Sequence, residues 1–515
     1  MLSITYIISF LAIILGLLLW TSFNSEKTER FFRGITVVAI LAFLGSWLAQ
    51  VAPVEYKLEV LVRDLLVIAA SGAVFTFVAR KRKLFLLLLA ITIAGGYWYL
   101  KNELGDRFPF KMADTNGLSI EGEYLVELTP NRSTAEMDQL KSWAEKNKVQ
   151  YEWAFTDIQD EESTDLDDYL LVNTPNDVKS DLLMNDLKAF PFVEYVEANE
   201  VIQLSPIETQ KQDKITKRER PDFRLNDPGV DQLWSFPAMQ MDKLYEFLEV
   251  NEVKPKKKAL VAILDTGVDS KHEDLKDNFK SIHKKSNDDP KGHGTHCAGI
   301  AGAVSNNGKG VASYSRDNFY VQITSYKVLG KMGYGTQQSI INGITKAADA
   351  GADVISLSLG GPSNDSRQKA YSQAVKYANQ KGAIVVAAAG NSNSNSKNYS
   401  PVNADGIIGV SAVDKDLNRA SFSNFVQDIE MGIAAPGVGI YSTIPGSQYA
   451  TYNGTSMATP YVAGLLGLLK SIDPSLDTET AYKILKETGA PTQSTRETGP
   501  FILPPLAVRA LLNSK

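Results

Sequence analysis

Four apolar runs lie before residue 101 of the 515-residue chain, and their lengths decide what this part of the sequence can become. Ile4–Trp20, Ile35–Val51 and Leu84–Leu100 are each about 17 residues long, near the lower limit for a helix that crosses a bilayer. Leu65–Val78 is shorter, and Arg63 and Asp64 before it suit a helix end where charged side chains reach the interface. The first run has no basic residue ahead of it and no small-x-small cleavage site, so it reads as an anchor rather than a removed signal. Loop one carries Lys27, Arg30 and Arg33, loop three carries Arg80, Lys81, Arg82 and Lys83, and loop two offers mainly Lys57. Loops one and three are therefore expected in the cytoplasm, which makes residues 1–104 a four-helix transmembrane region with both chain ends outside. The expectation is a multi-pass plasma-membrane protein, in contact with the lipid bilayer, whose folded part is extracytoplasmic.

The rest is too long for one ordinary core, so two further units are expected. A net charge of −6 argues against a nucleic-acid partner, which would call for a basic face. A single cysteine, Cys297, rules out an intrachain disulfide.

Residues 118–205 read as strand, helix, strand, strand, helix, strand, the split βαβ order. Glu123–Leu128 alternates as a half-buried strand does, and Ser133-Thr134-Ala135-Glu136 fits a capping box with Met137, Leu140 and Ala144 following at helical spacing. Tyr151–Phe155 and Tyr169–Val172 are short β-prone runs, a helix spans about Val178–Ala189, and Phe192–Val196 closes the set. Residues 206–225, with Lys211, Lys214, Lys217, Arg218 and Arg220, read as a basic, solvated linker.

From about Asn226 to the end, apolar β-prone runs (Ala259–Leu264, Val354–Leu359, Ile384–Ala388, Ile407–Val413) alternate with the helical segments Thr336–Ala350 and Arg367–Gln380. This alternation predicts an α/β unit with a parallel sheet covered by helices on both faces, and chemistry at the carboxyl ends of its strands. Asp265 ends the first such run and is followed by Thr266-Gly267. His293 opens a small-residue helix within Gly292-His293-Gly294-Thr295-His296. Ser456 lies in Gly454-Thr455-Ser456-Met457-Ala458-Thr459-Pro460 where a loop enters an apolar helix, and Pro460 fits only in that helix's first turn.

These three segments, in the order Asp, His, Ser, resemble the three signatures of the subtilisin-like serine proteases, whose chain order is the same. The resemblance covers residues 226–515 and implies a serine endopeptidase with catalytic Asp265, His293 and Ser456. It also implies that Asn391, after Ala387-Ala388-Ala389-Gly390, forms the oxyanion hole with the Ser456 N–H. Gly333-Tyr334-Gly335 and Ser358-Leu359-Gly360 resemble the two edges that hold an extended peptide or protein substrate, with Ala388 and Gly390 lining the primary pocket. The 118–205 unit, ending in Phe192-Val193-Glu194-Tyr195-Val196-Glu197, resembles the family's inhibitor-type propeptide, so this domain is a partner of the enzyme and self-processing of a zymogen near Leu204–Ser205 is implied. Pro206 would lie just beyond the bond after Ser205, where a proline ring hinders attack.

No metal ligand set is read: His293 and His296 lack the carboxylates a metal would need. Cys297 resembles a buried thiol found beside this motif in part of the family. No cofactor is required, and calcium enters only as an optional structural ion near Ser305-Asn306-Asn307-Gly308, a loop without a carboxylate of its own.

Overall fold

The computed structural model describes residues 119–515 apart from 157, 160–163, 175–179, 205–207, 210–221, 364–368 and 515, and, nearer the start, residues 9–10, 12–17, 19, 26–49, 61, 64–65 and 68. The chain divides into two compact units, Met1–Gly117 and Leu118–Lys515.

In the first unit, helix α1 (Glu26–Ala49) carries the second apolar run. Its opening turns hold Glu26, Lys27, Glu29, Arg30 and Arg33, leaving an apolar part of about 16 residues, below the ~20 that a bilayer asks for. Among the described residues, no helix is long and apolar enough to cross a membrane. The run 84–100 and much of the other two lie outside the described residues.

The second unit begins with β1 (Ser119–Leu128), α2 (Thr134–Asn147), β2 (Gln150–Trp153), β3 (Tyr169–Asn173), α3 (Ser180–Lys188) and β4 (Val193–Gln203). The capping box forms as expected: Glu136 N–H donates to the Ser133 side chain, while the Glu136 carboxylate accepts from the Ser133 N–H at 2.7 Å. The strands make one antiparallel sheet in the order β2-β3-β1-β4. One face packs on α2 and α3 through Leu140, Leu183 and Leu187. The other joins the larger body: Leu125, Phe155, Tyr169 and Leu171 share a single buried cluster with Ile340, Ile344 and Tyr371.

Two departures from the sequence reading matter. Strand β4 runs on to Gln203, well past Val196, because Glu197 and Asn199 are satisfied by the body it packs on. The segment read as a solvated linker also contains a strand, β5 (Glu208–Thr209).

The larger body contains α4 (Met241–Val250), β6 (Ala259–Asp265), α5 (His293–Gly302), β7 (Val321–Lys327), β8 (Tyr334–Thr336), α6 (Gln337–Asp349), β9 (Val354–Leu357), β10 (Gly361–Pro362), α7 (Lys369–Gln380) and β11 (Ile384–Ala388). It continues with β12 (Tyr399–Ser400), β13 (Ile407–Val413), β14 (Met431–Pro436), β15 (Ile440–Ile444), β16 (Gln448–Asn453) and α8 (Thr455–Ile472). Six strands form the expected parallel sheet, in the order β14-β13-β11-β9-β6-β7. Residues of β6, β9, β11 and β13 are buried throughout, as a sheet covered on both faces requires. Alternate residues of one strand serve different clusters: Val261 and Ile263 meet α5 and α8, whereas Ala262 and Leu264 meet α6 and α7.

Candidate active site

Strand β6 delivers Asp265 at its carboxyl end with no exposed surface, so its charge needs partners. Thr266 N–H donates to Asp265 Oδ1 at 2.7 Å. His293, the first residue of α5, places Nδ1 2.9 and 2.8 Å from the two Asp265 oxygens. Burial depresses the basicity of His293, but the Asp265 charge and hydrogen bond outweigh it, so its pKa lies above the ordinary histidine value.

Ser456 sits at the second position of α8, 8% exposed, and its hydroxyl donates to the Ser358 carbonyl at 3.1 Å. Pro460 lies in the second turn of this helix, not the first as expected. A residue there would normally donate its N–H to the Ser456 carbonyl, and proline has none. That carbonyl is satisfied by other donors: the Ser358 hydroxyl at 2.9 Å and the Cys297 thiol at 3.4 Å. The proline is tolerated because the serine's main chain is held from two neighbouring elements.

Asn391 turns its Oδ1 toward Thr455, accepting from that residue's N–H and hydroxyl, both at 2.9 Å. Its amide nitrogen is thereby directed elsewhere: a Cβ built on Gly454 would lie 3.7 Å from Asn391 Nδ2 and 3.5 Å from the Ser456 N. Two donors thus converge beside the serine. The turn is fixed by buried Asn424, which accepts from Ser392 and Ser394 N–H at 2.9 Å each and donates to the Ala389 carbonyl at 3.0 Å. Gly390, at φ 103°, abuts that side chain so closely that a Cβ would come within 2.3 Å of it. Neither Thr455 nor Asn424 was singled out from the sequence, and Asn424 stands in no motif that would have marked it.

The predicted substrate edges are partly filled by the chain itself. Strand β4 pairs antiparallel with β8, matching Val201 to Thr336, Ile202 to Gly335 and Gln203 to Tyr334, and Leu204 N–H donates to the Gly333 carbonyl at 2.9 Å. Ile202 and Leu204 are buried in one cluster with Leu329 and Leu359. On the opposite side the chain comes near Gly361, one residue beyond the predicted edge, where a Cβ would meet Ile202 at 3.3 Å. Ser358 serves Ser456 as described, Gly360 backs onto the Ser400 carbonyl, and Ala388 is buried at the end of β11. Four residues after Leu204, β5 pairs with β16, matching Glu208 to Asn453 and Thr209 to Tyr452, just ahead of Ser456.

Asp265, His293 and Cys297 bring possible ligand atoms within 4.8 Å of one another. Burial, then the Asp265 charge, pushes the Cys297 thiol well above its ordinary value. Burial drives His296 down to about 3, and its Nε2 lies 3.1 Å from the Ala450 carbonyl while its ring stacks on Tyr452. The 305–308 loop meets carboxylates brought from elsewhere: Asn306 and Asn307 N–H donate to Asp227, and the Asn307 amide donates to Asp274. Those carboxylate oxygens accept N–H groups in the structure.

Fold and site define a serine hydrolase of the parallel-sheet type, and the comparisons agree. The Subtilase family profile matches residues 256–500. Thermitase from Thermoactinomyces vulgaris is 47% identical over 218 residues, 41% of this chain and 75% of its own length. Subtilisin DY from Bacillus licheniformis is 42% identical over 44% of this chain and 82% of its own length, and Subtilisin Savinase from Lederbergia lenta 41% identical over 46% and 84%. The chain belongs to the subtilase family and is a subtilisin-like serine endopeptidase.

Proposed function

We propose that this endopeptidase is membrane-anchored, acts outside the cytoplasm through Asp265, His293 and Ser456, and is made as a zymogen with residues 118–205 as its own propeptide. The observation that carries the catalytic reading is the paired contact of His293 Nδ1 with both oxygens of buried Asp265. With Nδ1 committed, Nε2 is the basic atom left for chemistry. Ser456 leaves the Ser358 carbonyl, attacks the substrate carbonyl and passes its proton to His293, while Asp265 stabilises the imidazolium. Asn391 Nδ2 and the Ser456 N–H receive the oxyanion. His293 then protonates the leaving amine, and water repeats the sequence to free the acyl group. None of these steps calls on a cofactor.

Peptide substrates would add as a strand along β8, the position β4 now holds. That occupation supports the propeptide reading, since a tail seated there excludes substrate. The pairings of Leu204 with Gly333 and of Glu208 with Asn453, three residues before Ser456, support a cut between Leu204 and Glu208. The membrane assignment rests on the apolar runs and basic loops of residues 1–104.

The test is to express the full-length chain and Ser456→Ala in membranes and read size and new N-termini by mass spectrometry. Wild type should be cut between Leu204 and Glu208 and the variant should stay whole. Two intact proteins would sink self-processing, and two equally cut proteins would assign the cut to another protease.

A further inference from the structure

Behind the Asp265–His293 pair lies a second buried carboxylate that the reaction as described does not use. Asp289, four residues before His293, is 5% exposed. Its Oδ1 accepts from the Thr266 hydroxyl (2.8 Å), the Lys291 N–H (3.1 Å) and the Gly292 N–H (2.9 Å). Its Oδ2 accepts from the N–H and the hydroxyl of Thr295, both at 2.8 Å. The Thr266 hydroxyl also lies 3.2 Å from Asp265 Oδ1 and accepts the Gly294 N–H at 3.1 Å. One side chain therefore fixes the backbone on both flanks of His293 and, through Thr266, the carboxylate that pairs with it.

A neutral acceptor could hold such a turn, and burying a charge for that purpose alone is costly. The charge has a second effect, because it lies near an imidazole that must become a cation. The groups around His293 are Asp265 on β6, Asp289 and Lys291 on the preceding loop, His296 and Cys297 on α5, and Tyr452 on β16, stacked on His296. Burial keeps His296, Cys297 and Tyr452 neutral at working pH. That leaves two anions against one lysine. Burial lowers the His293 pKa, and Asp265 and then Asp289 raise it, with Lys291 opposing.

We infer that Asp289 is a positioning residue for the reaction: through Thr266 and the Gly292–Thr295 turn it holds Asp265 and His293 in register, and its charge favours the imidazolium as Ser456 gives up its proton. The inference rests on the catalytic reading above.

With only four histidines, the full-length chain suits histidine-selective labelling and NMR titration, with the His293 signal identified by its loss in His293→Ala. In Asp289→Asn, His293 should titrate roughly half a pH unit lower or more, and the acid limb of kcat/KM for a short chromogenic peptide should move with it. An unmoved midpoint in folded Asp289→Asn overturns the inference. Thr266→Val should lower kcat roughly tenfold at unchanged KM, with Thr266→Ser restoring it. Equal kcat in all three overturns the inference even if Asp289→Asn does not fold. Ser456→Ala is assayed alongside: turnover surviving there would sink the catalytic reading, whereas its loss together with an unmoved His293 titration would sink only the role given to Asp289.

Discussion

At the level of single residues, Ser456 is held by its main chain as firmly as by its hydroxyl. Pro460 removes the helical donor to its carbonyl, and Ser358 supplies the main replacement. Ser358→Ala would leave that buried carbonyl with a weak thiol donor only, at a cost of about 1–3 kcal/mol, read as a lower Tm. The measurement fails this account if Tm is unchanged. Asn391→Ala should lower kcat about 10²–10³-fold at similar KM, the loss known for such a donor in a subtilisin rather than a magnitude calculated for this chain. Catalysis needs neutral His293, whose pKa is raised above the ordinary histidine value of about 6.5. Activity should therefore climb with pH along a limb centred above that value, and a limb centred below it would contradict the Asp265 pairing. Asp265, His293, Ser456 and Asn391, the residues proposed for catalysis, could be singled out because each stands in an unbroken local motif. Asp289 and Asn424 could not, because Asp289 joins the His293 turn to Thr266, 23 residues away, and Asn424 reaches Ala389, 35 residues away; Thr266 stood in the Asp265 segment without a role of its own.

Among the elements, β4 was read too short for a physical reason that also explains its role. After Val196 the sequence Glu197-Ala198-Asn199-Glu200 is polar, and a pattern-based reading ends the strand there. In the fold, Gln337 Nε2 donates to Glu197 at 3.0 Å and Asn199 Oδ1 accepts the Gln338 N–H at 3.1 Å in the first turn of α6. Polar residues are the right ones at an interface built on a helix N-terminus. Beyond them Ile202 and Leu204 bury apolar side chains, each contributing about 1.5–3 kcal/mol. Ile202→Asp should therefore free the cleft, giving turnover of a short peptide by uncut chain well above that of the parent. No gain would mean the tail is not what blocks the site. The loop at 305–308 belongs to this scale as well: with Asp227 and Asp274 already accepting N–H groups, a calcium chelator should leave Tm unchanged. A drop of several degrees would show that the Asn307 amide yields its place to an ion.

For the whole molecule, the proposed zymogen reading makes the connection between the propeptide-like unit and the catalytic body the control on when the enzyme is free. The chain is paired with β8 through Leu204 and with β16 from Glu208, so one polypeptide enters and leaves the site still joined. A bound peptide normally profits from such a fit, but Pro206 stands just after the bond that follows Ser205, and a proline ring obstructs attack there. On the proposed zymogen reading, the covalent link raises the effective concentration of the blocking segment, and slow cutting would hold the enzyme shut in cis. Pro206→Ala removes the obstruction without touching either β pairing. Pulse-labelled full-length chain in membranes should then be processed faster than wild type, with the catalytic fragment leaving the membrane fraction sooner. Adding Ser456→Ala should return processing to zero. If Pro206→Ala matures at the wild-type rate, the proline does not set the timing, and release must instead wait on the buried docking of Ile202 and Leu204.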